Sequence, residues 1–227
     1  GSLTQHTTTE IHRNFNLHCI RYLHATRTKS SCFRKPEEAK DINRLIGYSD
    51  ASFLSYPAGK QDRLRSHLGY IIIFNGAIIS SRSWKCTRLE AATSTAESEV
   101  TAMYHCAKEM VYLQTLLAEW EINTPKPSPL YTDSRSAWSN VLGQTHTSKS
   151  KYWLNELITL YTYLEHGLID PLLVPTKEQR ADALTKPAPR AVYDEHFSNL
   201  FCEVDDDGVK PPIPLSALIK DSPTPME

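Results

Sequence analysis

Ile46-Gly47-Tyr48-Ser49-Asp50-Ala51-Ser52-Phe53 is a short strand-like run in which one aspartate stands among apolar and small residues. Two further strands are predicted after it, because Leu68 to Phe74 is a β-branched apolar run and Ala77 to Trp84 follows across Asn75-Gly76. Asn-Gly between two such runs is a strong signal for a two-residue hairpin. The three strands are therefore predicted to form an antiparallel meander that carries Asp50 on its first strand.

The longest helix is predicted from about Ala96 to Trp120. Its apolar residues recur at alternating steps of three and four, which marks one buried face: Met103, Cys106, Met110, Leu113, Leu117 and Trp120. One step of four back from Met103 is Glu99, so Glu99, and not Glu97, is expected on the inward face in the first helical turn. The alternative is that Glu99 is an ordinary N-terminal carboxylate that interacts favourably with the helix dipole.

Two more aspartates follow later in the chain. A short strand from Leu130 ends in Asp133, which could instead be an N-cap that opens a helix over residues 137–142. A helix from about residue 152 to residue 165 and a strand over residues 168–174 come next. Thr176 and Gln179 then fit a capping box, which predicts a helix that carries Asp182 and ends near Pro187.

The predicted order of elements is β, β, β, α, β, α, α, β, α. Three antiparallel strands followed by two strands reached through helical crossovers indicate an α/β fold with a mixed five-stranded sheet flanked by helices. A helix from Ile11 to about Ala25 and a polar connector precede this sheet. In such a sheet the first and fourth strands can be neighbours, which would bring Asp50 and Asp133 together.

Composition excludes some classes of protein. The 227 residues include no apolar run long enough to cross a bilayer and no signal peptide, so no membrane association and an intracellular location are expected. The formal net charge of −1 does not by itself indicate nucleic-acid binding. The five cysteines are odd in number and form no CxxC pair, which favours free thiols over a disulfide frame or a zinc site.

Carboxylates that converge at one end of a sheet repel one another unless a cation is shared between them. Oxygen-only ligation favours Mg²⁺ or Mn²⁺ over zinc. Two such ions can support an in-line hydrolysis of a phosphodiester bond without a covalent intermediate. A cluster of Asp50, Glu99, Asp133 and Asp182 would therefore fit a two-metal hydrolase.

The motifs along the chain also resemble a known family. They are Ser49-Asp50-Ala51-Ser52, Gly69-Tyr70 with its hairpin, residues 94–99 (STAESE), residues 132–137 (TDSRSA), Val174-Pro175-Thr176 and residues 181–187 (ADALTKP). In combination and order they resemble the ribonuclease H domain of copia-type LTR retrotransposon polyproteins. The resemblance covers residues 11 to about 190, because residues 12–23 are similar to the segment that links reverse transcriptase to ribonuclease H in that family.

The resemblance implies an RNase H-like fold and metal-dependent cleavage of the RNA strand of RNA/DNA hybrids. Carried over by motif, the catalytic and metal-binding acids are Asp50, Glu99, Asp133 and Asp182. Cellular and retroviral ribonucleases H have a histidine in the loop before the last acid, and residues 175–181 contain none, a lack that copia-type domains share. Residues 149–154 differ from the lysine-histidine pair of many relatives, which leaves the substrate contacts there open.

Basic and hydroxyl side chains near the acids are candidates for contacts to phosphates and 2′-hydroxyls of a hybrid. They are Ser52, Lys85, Arg88, Ser94, Thr95, Arg135, Lys149 and Lys151. Residues 1–45 are interpreted as a connection to a reverse transcriptase, residues 46–190 as the RNase H-like domain, and residues 191–227 as a partly acidic, Pro-rich extension. The partners expected are an RNA/DNA hybrid and a reverse transcriptase or other protein that binds residues 1–45 or the tail.

Three functional hypotheses remain open on the sequence. The first is an active ribonuclease H in cytoplasmic virus-like particles or in the nucleus. The second is a domesticated or auxiliary domain that binds protein or nucleic acid without cleaving it. The third is another member of the same fold, such as an integrase-like strand transferase or a structure-specific nuclease. The setting of Asp182 argues against it, because those enzymes usually use three acids.

Overall fold

The structure of the protein is a computed structural model that describes residues 10–26, 28–34, 42–53, 66–86, 94–143, 153–186, 189–205 and 208–209. The strands are β1 (Lys29–Ser31), β2 (Leu45–Ser52), β3 (His67–Phe74), β4 (Ala77–Lys85), β5 (Ser128–Thr132), β6 (Ile169–Leu173), β7 (Phe201–Asp205) and β8 (Gly208–Val209). The α-helices are α1 (Glu10–Ala25), α2 (Thr95–Glu119), α3 (Arg135–Val141), α4 (Leu154–Glu165), α5 (Asp182–Thr185) and α6 (Arg190–Phe197). Among the described residues, no helix is both long enough and apolar enough to span a bilayer.

The central sheet has five strands in the order β4-β3-β2-β5-β6. Strands β2, β3 and β4 are antiparallel, whereas β5 is parallel to β2 and β6 is parallel to β5. Asn75 and Gly76 both have positive φ in the β3–β4 turn, as a two-residue hairpin of the primed type requires. The predicted mixed sheet of three antiparallel and two parallel strands is therefore confirmed.

Helix α2 covers one face of this sheet at very close range. A Cβ atom at Gly47 would lie 2.4 Å from the Met110 sulfur and 2.9 Å from the Cys106 sulfur, so the glycine allows the helix to approach β2. Met103, Cys106 and Met110 are fully buried, which confirms the inward stripe predicted for this helix. Trp120 is an exception, because it follows the last helical residue and its side chain is 65% exposed.

The opposite face of the sheet is covered by the chain that follows β6. Tyr48 and Ile71 pack there in one cluster with Val174, Phe197 and Leu200. Residues 190–205 contain helix α6, a 3₁₀ turn and strand β7. Because Phe197 and Leu200 are in this cluster, part of the segment belongs to the core. The acidic run at 205–207 and the Pro-rich tail after residue 209 lie outside the described residues, apart from Asp205 at the end of β7.

A second, small sheet joins an early and a late segment of the described residues. Strand β1 pairs antiparallel with β7, and Cys32 is bonded to Cys202 with 6.1 Å between the Cα atoms. The prediction of free thiols is wrong for this pair, because the chain reversal that pairs β1 with β7 was not visible as a pattern in the sequence. It is confirmed for Cys19, Cys86 and Cys106. The division at residues 45 and 190 stays a prediction, although the pairing of β1 with β7 links its first and third parts.

The predicted N-terminal helix is confirmed as α1, but much of its apolar surface is exposed. Ile20 is 61% and Leu23 67% exposed. The predicted capping box at Thr176 and Gln179 is wrong. Thr176–Glu178 is a 3₁₀ turn, and Gln179 is fully buried with its side chain hydrogen-bonded inside the fold.

Candidate functional site

Three of the four predicted acids converge at one end of the sheet. Asp50, Glu99 and Asp133 each present a carboxylate oxygen, and these oxygens all lie within 4.8 Å of one another. Asp50 and Glu99 are buried, and Asp133 is half-buried. We call these three residues the acid cluster.

The parallel pairing of β2 with β5 explains why two of the acids meet. Tyr48 is paired with Tyr131, and each acid follows two residues later, so Asp50 and Asp133 lie side by side at the same level. Asp133 comes directly after the last residue of β5. It does not cap helix α3, because the hydroxyl of Ser134 accepts the hydrogen bond from the Ala137 amide.

Helix α2 brings the third acid from above the sheet. Ser94 is its N-cap, and the Ser94 hydroxyl accepts a hydrogen bond from the Glu97 amide at 3.2 Å. Glu99 therefore projects from the first turns of a helix that is packed against β2. Glu97 is also buried, which sequence periodicity did not predict, but only Glu99 joins the acid cluster.

Burial and mutual repulsion make the carboxylates of the cluster hard to ionise together. Burial raises the pKa of Asp50 to about 6, and the nearby charges of Asp182 and Asp133 also act to raise it. Burial, and then the charges of Asp50 and Asp133, hold the pKa of Glu99 well above its usual range. A cation at this point would therefore be strongly favoured.

Thr185 is a site residue that sequence reasoning did not single out. Its hydroxyl donates a hydrogen bond to Asp50 Oδ2 and so fixes the carboxylate. Helix α5 can approach this closely because residue 69 is a glycine: a Cβ atom there would lie 2.9 Å from Leu184 Cβ and 3.0 Å from Thr185 Cγ2. The pairing of Asp50 with Gly69 places this gap directly beside the acid.

Residues 174–186, which we call the closing segment, are attached to the sheet by side-chain hydrogen bonds as well as by core packing. The Gln179 amide donates to the Ser49 carbonyl at 3.0 Å and accepts from the Ala181 amide at 3.3 Å. The Ser83 hydroxyl on β4 donates to the Leu184 carbonyl at 2.7 Å. These bonds hold helix α5, and with it Asp182, over the sheet end.

Asp182, the fourth predicted acid, is not part of the acid cluster. It begins α5, and its Oδ1 atom accepts a hydrogen bond from Lys186 Nζ at 2.6 Å. The same ammonium group lies 3.8 Å from Asp50 Oδ2. Burial acts to lower the pKa of Lys186, but the hydrogen bond to Asp182 and the charge of Asp50 outweigh it, and the pKa is raised. The ammonium therefore lies between the fourth acid and the cluster.

The predicted nucleic-acid contacts occupy different positions. Thr95 and Arg135 are exposed first residues of helices α2 and α3. Ser94 is the N-cap of α2, Ser52 is buried at the end of β2, and Lys85 is half-buried at the end of β4. Arg88, Lys149 and Lys151 lie outside the described residues. Of the described members of this set, only Thr95 and Arg135 are thus exposed close in sequence to Glu99 and Asp133.

The donor set fits a hard divalent cation. All of its potential ligands are carboxylate oxygens, the type that Mg²⁺ and Mn²⁺ prefer. Glu99 Oε2 is buried and has no hydrogen-bond partner among the described residues. A buried, unpartnered carboxylate oxygen is costly unless a cation is bound there, so the residues present fit a metal ion.

Comparison with known proteins shows what the chain is similar to. No family model matches it. The Ty1-JR2 and Ty1-MR1 transposon Gag-Pol polyproteins of Saccharomyces cerevisiae are each 28% identical to it over 171 residues. The chain is homologous to retrotransposon Gag-Pol polyproteins. The match covers 75% of this chain and only 9% of each polyprotein, and it confirms the copia-type resemblance that the motifs indicated.

Solved structures similar to this chain include ribonucleases H. The N-terminal RNase H domain of a Mycobacterium tuberculosis protein, fused to maltose binding protein, has a TM-score of 0.48 and 13% identity. That match covers 67% of this chain and 98% of the other. LC11-RNase H1 in complex with an RNA/DNA hybrid has a TM-score of 0.46 and 13% identity, with 64% and 96% covered.

Proposed function

We propose that the chain is the ribonuclease H domain of a retrotransposon polyprotein and that it hydrolyses the RNA strand of RNA/DNA hybrids. The observation that carries the proposal is the convergence of Asp50, Glu99 and Asp133 within 4.8 Å at the end of a mixed sheet. The homology to Gag-Pol polyproteins supports it, because the match extends over 171 residues and not over the acids alone.

The acid cluster would hold one divalent ion, and Asp50 with Asp182 would share a second. When bound, two Mg²⁺ or Mn²⁺ ions supply Lewis acidity and charge neutralisation for the in-line hydrolysis of a phosphodiester bond. The chain itself keeps the ligands in place: Thr185 fixes the Asp50 carboxylate, and the packing of α2 on β2 fixes Glu99.

Substrate would reach this site along the exposed ends of helices α2 and α3. Thr95 and Arg135 flank the acids there, and a guanidinium group pairs well with phosphate oxygens. We assign these two residues to phosphate and sugar contacts. Ser94 serves the helix as its N-cap, and Ser52 is buried, so we rank both below Thr95 and Arg135.

The chain spans about a tenth of the polyproteins that it matches, so its partners are part of the proposal. We propose that a reverse transcriptase domain packs against residues 1–45, where α1 exposes Ile20, Tyr22 and Leu23. The proposed cleavage of RNA/DNA hybrids would take place in cytoplasmic virus-like particles or in the nucleus.

The test is a cleavage assay with an RNA/DNA hybrid whose RNA strand carries an end label. We expect cleavage that needs Mg²⁺ or Mn²⁺, spares labelled DNA and single-stranded RNA, and is lost in Asp50→Asn and in Asp133→Asn. Asp194→Asn is the matched control, because Asp194 is a half-exposed acid on α6 that pairs with Arg190.

Two results would contradict the proposal. Absence of metal-dependent product from the unmutated protein favours the alternative of a binding module that does not cleave, which hybrid binding without cleavage would support. Equal loss of activity in Asp194→Asn and Asp50→Asn would show that charge removal anywhere on the chain, and not the acid cluster, decides the rate.

A further inference from the structure

The ammonium group of Lys186 already lies at the proposed metal site. It is 2.6 Å from Asp182 Oδ1 and 3.8 Å from Asp50 Oδ2. These are the two acids that would share the second divalent ion. The charge of Asp133 also acts on this ammonium group, and the ammonium group acts on Glu99.

An ammonium group and a divalent ion cannot occupy the space between the same two carboxylates, because two positive charges a few ångströms apart repel each other strongly. Without any cation the carboxylates of Asp50 and Asp182 would in turn repel each other. In the metal-free protein the Lys186 ammonium therefore reduces the repulsion between these two carboxylates, as a bound metal ion would.

The side chain has both the reach and the freedom for such an exchange. Lys186 is the residue that follows α5, four positions after Asp182, and its side chain is 45% exposed. A lysine carries a compact point charge on a flexible four-carbon stem, so the charge can leave the acids while the backbone stays in place. The Lys186 amide remains bonded to the Asp182 carbonyl at 3.0 Å.

We propose that Lys186 is a built-in counter-ion that occupies the space between Asp50 and Asp182 and must be displaced before a second divalent ion binds there. This inference rests on the proposed function of the acid cluster and adds a regulation of it. The first ion, held by Asp50, Glu99 and Asp133, would bind without this displacement. The second would bind more weakly because it competes with a tethered cation.

The Lys186 charge should also stabilise the metal-free protein, because it offsets the repulsion among the nearby carboxylates. Removing the ammonium leaves the repulsion among Asp50, Asp182 and Asp133 uncompensated, so metal-free protein without it should unfold at a lower temperature. Added divalent ions would replace the lost charge and restore the melting temperature. A lysine with a purely structural role would not show this exchange.

The experiment measures Mn²⁺ binding directly, from the electron paramagnetic resonance signal of free Mn²⁺, at neutral pH and low salt. It compares the unmutated chain with Lys186→Met and with Lys177→Met. Lys177 is an exposed lysine of the same closing segment, so it controls for the general effect of one lost positive charge. Asp50→Asn serves as the variant that lacks the shared ligand.

We expect one stronger and one weaker Mn²⁺ site in the unmutated chain. Lys186→Met should tighten the weaker site by about tenfold or more, because a unit charge at this distance outweighs a surface charge. Lys177→Met should change it by less than about twofold. In thermal melting with a chelator, Lys186→Met should lower the melting temperature by about 3 °C, and excess Mn²⁺ should remove that difference.

The outcomes separate the two proposals. Mn²⁺ binding that Asp50→Asn abolishes but that Lys186→Met leaves unchanged overturns the role of Lys186 and keeps the acid cluster. A melting difference that persists in excess Mn²⁺ also overturns it, because the lysine is then only structural. If no variant binds Mn²⁺, the proposed function fails and this inference fails with it.

Discussion

The acid cluster and the closing segment bring acids to the same sheet end by different means. Asp50 and Asp133 are fixed by backbone pairing within the sheet, and Glu99 by a 25-residue helix packed on β2. The closing segment has only a three-residue 3₁₀ turn and a four-residue helix, and it is held by side-chain hydrogen bonds from residues such as Gln179 and Ser83. Three acids are therefore placed by long regular elements, whereas the fourth depends on a short segment that is held by side-chain contacts.

The largest expected effect separates a cluster acid from the closing-segment acid. Asp50→Asn weakens a ligand common to both proposed ions and should lower the rate of hybrid cleavage by about a thousandfold or more. Asp182→Asn weakens a ligand of only the second ion and should lower it by about tenfold. Single-turnover cleavage rates of the two variants check this. Equal losses would contradict the difference that we draw between the two regions.

A methyl group placed between the two regions should have the next largest effect. Gly69→Ala puts a Cβ atom against Leu184 and Thr185, so α5 must move away from the acid cluster. We expect up to about 3 kcal/mol loss in the free energy of unfolding and a marked loss of cleavage. Urea unfolding and the cleavage assay measure both.

Gly47→Ala is the matched control for that substitution. It adds the same methyl group on the other side of the sheet, where the nearest atom is the sulfur of the flexible Met110 side chain. We expect a loss of stability without a specific loss of cleavage by the fraction that remains folded. If Gly47→Ala impairs cleavage as much as Gly69→Ala, close approach of α5 is not what the site requires.

A smaller effect on cleavage is expected from removing the Thr185 hydroxyl group, which connects the closing segment to the acid cluster. Thr185→Val keeps the shape of the side chain but removes the hydrogen bond to Asp50. It should cost about 1.5 kcal/mol of stability and lower the cleavage rate by about tenfold. Thr185→Ser retains the hydroxyl and should restore most of the rate, which distinguishes orientation of Asp50 from packing of the threonine methyl.

The smallest effect is expected on the pH dependence of the free energy of unfolding, because a bound metal ion would cancel it. The pKa of Asp50 is about 6 in the folded chain and near the usual value of about 4 when unfolded. Its contribution to stability is therefore fully present below about pH 4 and is lost as the pH rises through about 6.

The charged groups that act on Asp50 are Lys186, Asp182 and Asp133, and Glu99 faces it from α2. Urea unfolding of the metal-free protein across this pH range should show stability falling with rising pH, less so in Asp50→Asn. Stability that rises over the range in the unmutated chain would contradict the raised pKa.

Sequence patterns predicted the acid cluster well because its positions follow from regular periods. Helical phase selected Glu99, strand order brought Asp50 to Asp133, and Asn75-Gly76 defined the hairpin, all of which the structure bears out in geometry. The roles of these acids in catalysis stay predictions. Periodicity failed at Glu97, which is buried although it lies off the stripe, because the end of the helix is enclosed by neighbouring elements.

The closing segment was predicted poorly for a physical reason. Its 3₁₀ turn and short helix have no periodic pattern, and the buried Gln179 side chain bonds to the backbone of a strand 130 residues away in sequence. The same limit applies to Cys32 and Cys202, whose pairing depends on the contact of β1 with β7. The only available signal for Lys186 was its spacing of four residues from Asp182.

The most direct test of the central claim is an anomalous diffraction map from crystals grown with Mn²⁺. We expect a Mn²⁺ peak bounded by the carboxylates of Asp50, Glu99 and Asp133. Where a second peak is present beside Asp182, we expect the Lys186 side chain to be turned away from it. Density without a peak among the three carboxylates, at Mn²⁺ concentrations that support cleavage, would contradict it.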